Sequence, residues 1–153
     1  MQCVMTNLRG AASAQELNWD YTSMVYFNGE RFGTNATGLY EICCGQTDDG
    51  TAIDAYFILA TTDFGIENNK HIRKVYVGLE TTGSLILELT ADGRTTRTYS
   101  MSTSVSGQQR LRIPIGRDIS GRYWTAKISN VNGSDFSIDK IEVLPIVKSS
   151  GIR

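Results

Sequence analysis

From Met24 onward, apolar and polar residues alternate in short runs separated by turn-forming dipeptides. In "SLILELTADG", Leu85, Leu87 and Leu89 fall on one face with a period of two, the mark of a half-buried strand. "QRLRIPIG" places Leu111, Ile113 and Ile115 on one side and Arg110 and Arg112 on the other. "RYWTAKIS" turns Trp124, Ala126 and Ile128 inward and Tyr123, Thr125 and Lys127 outward. In "DFSIDKIEVLPIV" the apolar phase slips by one residue between Ile138 and Ile141, which predicts a β-bulge near Asp139-Lys140. Asn28-Gly29 and Asp92-Gly93 are hairpin signals, since both residues of a two-residue type I′ turn need positive φ. Asn132-Gly133 marks a turn of the same kind, so residues 121–146 read as the hairpin that closes the fold. "GLYEICCG" and "AIDAYFILATTDFG" add further strands.

Roughly nine or ten short strands at a spacing of ~8–12 residues predict an all-β chain. The expected architecture is a single antiparallel β-sandwich of jelly-roll type over residues 23–147. Residues 1–22 lack a period and read as an extended arm or a short helix, with Ser13 as cap and Glu16 three residues on. Residues 148–153 form a tail.

The composition suits one folded domain: 153 residues, 41% apolar and 20% charged, with 15 glycines for tight turns. A net charge of −1 supplies no field to hold nucleic acid or an anionic membrane. No secretory leader and no stretch of about 18 apolar residues is legible, so no membrane association is expected. Cys3, Cys43 and Cys44 do not make a disulfide framework; the adjacent pair points to opposite faces of a strand, as expected of a reducing compartment. Asn35-Ala-Thr37 and Asn132-Gly-Ser134 match glycosylation acceptors but read as turns.

The sole histidine, His71, rules out a metal site of several imidazoles within one chain and reads as a surface residue. No nucleophile elbow of the form GxSxG occurs, and Glu41, Asp54, Asp63 and Glu88 show no pairing that would make a glycosidase. Asp48, Asp49 and Asp92 stand beside glycines as turn residues. No enzymatic activity, metal or cofactor is therefore expected. Asp135 and Asp139 are the weak candidates for a sugar or calcium ligand, as hard oxygens on a terminal strand. Trp19 and Tyr21 are candidate protein contacts in the irregular N-terminal segment. Arg94, Arg97, Arg110, Arg112, Arg117 and Arg122 crowd a region whose only acid is Asp118. Of these, Arg110, Arg112, Arg117 and Arg122 are candidate assembly contacts, because a guanidinium fork pairs with carboxylates in two-point fashion.

"FNGERFGTNATGLYEI", "TDFG" followed by "HIRKVYVGLETTGSLILEL", and "GQQRLRIPIGRDISGRYWTAKISNVNGSDFSIDKIEVLPI" together resemble small tail-associated and other virion proteins of tailed bacteriophages. The resemblance spans roughly residues 24–147 and rests on turns and strand faces. It implies a structural component of the virus particle in a tail, neck or capsid-decorating position. Such a component assembles in the host cytoplasm through contacts with copies of itself and with other virion proteins. It brings no catalytic residues. The alternative is a carbohydrate-binding β-sandwich module that contacts a glycan on the host surface.

Overall fold

The computed structural model describes residues 3–7, 12–16, 20–42, 46–48 and 50–148. Their regular structure is all strand, and every paired strand is antiparallel. The chain forms two compact units, Met1–Gly45 and Gln46–Arg153.

In the first unit, β1 (Cys3–Asn7) and β2 (Ala12–Glu16) pair as a hairpin, inside the segment read as an arm or a short helix. Strands β3 (Ser23–Phe27), β4 (Glu30–Thr34) and β5 (Leu39–Glu41) form a sheet in that order. Asn28 and Gly29 join β3 to β4 with φ of 51° and 91°, the backbone that a type I′ turn requires. Gly33 is the one buried residue of this sheet among those described; a Cβ there would meet Tyr21 and Ile42 side-chain carbons at 2.6 Å.

The second unit begins with a two-stranded ribbon, β6 (Thr47–Asp48) and β7 (Thr51–Ala52). The remaining strands are β8 (Tyr56–Ile58), β9 (Lys70–Thr81), β10 (Ser84–Ala91), β11 (Thr95–Ser102), β12 (Gln109–Pro114), β13 (Trp124–Asn130) and β14 (Phe136–Val147). They build two sheets, ordered β11-β10-β13-β8 and β12-β9-β14. Alternation places their apolar residues in one core shared by both sheets. Val75, Val77 and Leu79 of β9 are buried in it with Leu85, Leu87 and Leu89 of β10, and with Trp124 and Ile128 of β13. The Trp124 indole is 2% exposed and donates through Nε1 to the Gly121 carbonyl at 3.1 Å, so the core receives the ring without an orphaned N–H. The anticipated bulge is present: the β14–β9 register shifts between Ile138 and Lys140, leaving Asp139 outside the ladder.

Two expectations are corrected. First, β13 and β14 do not form a hairpin. Asn132 and Gly133 have the expected positive φ of 53° and 72°, yet the turn carries the chain from one sheet to the other. A second crossing, from β9 to β10 through Thr82 and Gly83, meets it there. Thr81 Oγ1 and the Thr82 amide donate to the Asp135 carbonyl at 2.8 and 3.1 Å, and the Asp135 amide donates to Thr82 Oγ1. Each crossing thus satisfies the other's polar backbone, which holds the strands apart. Second, "AIDAYFILATTDFG" is not one continuous strand. Only Ala52 at the end of β7 and the strand β8 are regular within it; beyond β8 the Leu59 amide donates to the Ala126 carbonyl and Thr62 exchanges a reciprocal pair of backbone bonds with Trp124.

Candidate functional site

Strand β14 carries two concave surfaces, and the bulge at Asp139 belongs to both. One lies on the exposed side of the β12-β9-β14 sheet and encloses about 240 Å³. Its floor is Gly78, where a Cβ would fall 2.0 Å from Asp139 Oδ1. The missing side chain is therefore what lets the Asp139 carboxylate lie across β9. Arg110 of β12 stands over the Tyr76 ring at 4.3 Å and donates through Nη2 to Glu142 Oε2 at 2.5 Å. Lys140 Nζ reaches the other oxygen, Oε1, at 2.5 Å. The two cations hold the Glu142 carboxyl below its ordinary value, the Lys140 bond first and the Arg110 bond second. An aromatic face, two carboxylates and two cations thus line a polar basin. Such a surface offers partners to hydroxyl-rich or charged groups.

The second surface is apolar. A groove of about 500 Å³ runs between β8 and β14, lined by Phe57, Leu59, Phe136, Ile138 and Ile141, with Asp139 and Lys140 at its rim. Phe57 and Phe136 face each other across it with ring centroids 6.5 Å apart. Strand β14 pairs with β9 alone and β8 with β13 alone among the described residues, so both strands present free backbone edges.

The other sequence-nominated residues are dispersed. Asp135 has its backbone committed to the crossing described above, and its side chain is exposed. Arg112 and Arg117 are exposed. Arg122 is half-buried, 3.7 Å from Glu67 and 5.1 Å from the Tyr123 ring centroid. Arg97 pairs with Asp118 at 2.6 Å, and that bond lowers the Asp118 carboxyl below its usual range. Arg97, Arg110 and Arg122 thus each pair with a different acid, Asp118, Glu142 and Glu67. Tyr21 is half-buried, 6.0 Å from the Tyr40 ring in the first unit. Trp19, Cys43, Cys44 and Asp49 lie outside the described residues.

His71 is corrected from a surface residue to a half-buried one whose Nδ1–H donates to the Ile119 carbonyl at 2.7 Å. Among the described residues no group of three or more His, Cys, Asp and Glu side chains is placed to share a metal ion. Asp92 does accept backbone amides, but from Arg122 and Tyr123, which are remote in sequence (2.9 and 2.8 Å).

Sequence reading overlooked four features. Lys70 is wholly buried, with Nζ donating to the Arg122 carbonyl at 2.7 Å. The Asn130 side chain accepts from the Ala55 amide and donates to the Ile53 and Ser134 carbonyls. Glu142 is the centre of the polar basin. The fourth is β3 in the first unit, where Met24, Val25, Tyr26 and Phe27 are 62, 55, 70 and 69% exposed. The signal for β3 was available, since "SMVYF" is apolar on both strand faces and no single sheet face can bury it. Comparison with family models, with curated proteins and with solved structures finds no match for this chain.

Proposed function

We propose that this chain is a non-enzymatic structural protein of a bacteriophage virion, a tail, neck or particle-decorating component that assembles through contacts with copies of itself and with other virion proteins. The observation that carries the reading is β3, an uncharged edge strand with four consecutive exposed apolar residues in a unit with no buried apolar residue among those described. A three-stranded sheet needs a buried hydrophobic face for independent stability, and this one buries no apolar residue among those described. Natural monomers blunt such edges with Lys, Pro or bulges, and β3 has none of these. A strand left in this state belongs to a protein whose partner covers it. The resemblance of residues 24–147 to phage virion proteins supplies the setting. Mass spectrometry of purified particles tests the assignment: the chain is expected in several copies, and its absence from particles ends the reading.

The same proposal takes the second unit as a β-sandwich of jelly-roll type. Support comes from strand order. A jelly roll interleaves eight strands into two sheets, ordered first-eighth-third-sixth and second-seventh-fourth-fifth. With β8 to β14 as the second to eighth strands, those orders become β14-β9-β12 and β8-β13-β10-β11, which match the two sheets.

A second reading is favoured by the basin of Tyr76, Arg110, Asp139, Lys140 and Glu142, which suits saccharide hydroxyls. Titration with host polysaccharide distinguishes it: binding that Asp139→Ala abolishes supports a glycan contact, and no binding with or without calcium removes it.

A further inference from the structure

Among the described residues the jelly-roll order leaves one place unfilled, that of the first strand, which in such a fold pairs with the eighth and leads into the second. That place lies beside β14 and next to β8. The apolar groove between Phe57, Leu59, Phe136, Ile138 and Ile141 is found there, flanked by the free edges of the same two strands. A strand-shaped groove with unpaired backbone along β14 and an apolar floor is built for an extended segment. Main-chain bonds to the edge give affinity, and alternate side chains fill the floor.

We propose that β3 of a second copy of this chain occupies the groove, adding to β14 as the missing strand. This rests on the assembly reading and the jelly-roll order above. The occupant must be extended, must bring apolar residues at alternate positions, and must have a free edge of its own. Strand β3 pairs only with β4 among the described residues and carries Met24, Val25, Tyr26 and Phe27 exposed on its two faces. Its five residues, about 17 Å at ~3.4 Å each, match the five ladder places that β14 offers between residues 136 and 141, where the bulged Asp139 adds none. Charge also fits. Asp139 and Lys140 place opposite charges on the rim, so a charged strand of either sign meets one like charge, while Ser23–Phe27 carries none. Donation from each copy to the next is a heterologous contact, which produces rings or open files of subunits rather than only a closed pair.

Complementation tests it. Tyr26→Lys removes the donor and leaves the groove; Leu59→Lys, at an exposed groove position, removes the groove and leaves the donor. Each variant alone is expected by light scattering to self-associate roughly tenfold or more weakly than the native chain, since each buries an unpaired charge at the contact. An equimolar mixture is expected to form a one-to-one heterodimer, because one intact donor then meets one intact groove. A mixture that stays monomeric, or a Leu59→Lys chain that associates as the native one does, overturns the proposal. The second result leaves the assembly reading standing, with β3 covered in another way. Hydrogen exchange on the native chain removes dependence on the variants. On dilution through dissociation, the amides of residues 23–27 and of the β14 edge are expected to lose protection together while those of β10 keep theirs. A chain that stays monomeric at every concentration refutes strand donation; whether it is a virion component is decided separately by its presence in particles.

Discussion

At the scale of single residues, the backbone signals in the sequence were the most legible. Asn28-Gly29, Asp92-Gly93 and Asn132-Gly133 all adopt positive φ at both positions, because this is a local preference that needs no knowledge of the fold. What surrounds such a turn is not local. Around Gly93 a Cβ would meet nothing within 4 Å, whereas at Gly133 it would come 2.1 Å from the Gln46 carbonyl oxygen. Gly93→Ala is therefore expected to cost only the left-handed backbone term, ~1 kcal/mol. Gly133→Ala should cost more, about 2 kcal/mol or above, because a backbone carbonyl has to move. Parallel urea denaturation of the two variants measures the difference; equal losses would show that the Gln46 contact is easily relieved. Lys70 illustrates the opposite limit. It is wholly buried, and the carbonyl that accepts from its Nζ belongs to Arg122, 52 residues away in the chain. Glu142 has a pH signature with a definite sign. Its carboxyl is held below the ordinary value of 4.5, so the stability it contributes is fully present above that pH. It is lost as pH falls from about 4.5 through the lowered folded-state value. The gap in Tm between the native chain and Glu142→Gln is expected to be positive at about pH 6 and to shrink toward zero at about pH 3. Added salt should narrow it at pH 6, since the cluster is at the surface.

At the scale of elements, alternation identified β10, β12 and β13 and the inward set on each, because a period of two is fixed by the pleat of the strand itself. The bulge in β14 was legible for the same reason, since a phase slip has few other causes. Pairing was less legible. The Asn132-Gly133 turn has hairpin dihedrals but leads from one sheet to the other, and what decides between the two outcomes comes from distant segments. Asn130 is the clearest of these determinants. Its side chain bonds the Ala55 amide at 2.9 Å, the Ile53 carbonyl at 2.8 Å and the Ser134 carbonyl at 3.2 Å. It thereby joins the lead-in to β8 with the end of β13 and the crossing into β14. Nothing in "SNVNGS" distinguishes this asparagine from its neighbour Asn132. Asn130→Ala strands one donor and two acceptors, of which the half-buried share costs about 1–3 kcal/mol. The loss is expected in global stability, together with faster amide exchange in β8 than in β10. Unchanged β8 exchange would mean that its pairing with β13 suffices to hold it.

At the scale of the whole molecule, the candidate site was only half legible. Asp139 and Arg110 were nominated singly for different reasons, and the fold brings them to one basin because β12 and β14 flank β9. No local pattern encodes that adjacency. The contrast between the two units has a further consequence for stability. Fifteen buried apolar residues make the core of the second unit, and none of them lies in the first among those described. Amide protection reports the free energy of the cheapest opening that exposes each bond, which rises with the apolar burial that the opening must undo. Amides of β9, β10 and β13 are therefore expected to exchange only through global unfolding of the second unit, with a common free energy that falls together in urea. Amides of β3, β4 and β5 in the dissociated chain are expected to exchange orders of magnitude faster, since their hydrogen bonds are backed by little buried surface. Concentrating the chain, or isolating it within particles, should slow β3 far more than β10, because a partner supplies the burial that the chain alone does not. If β3 is as protected as β10 in the dilute monomer, the first unit derives its stability from within the chain, and an assembly role for its exposed strand loses its physical basis.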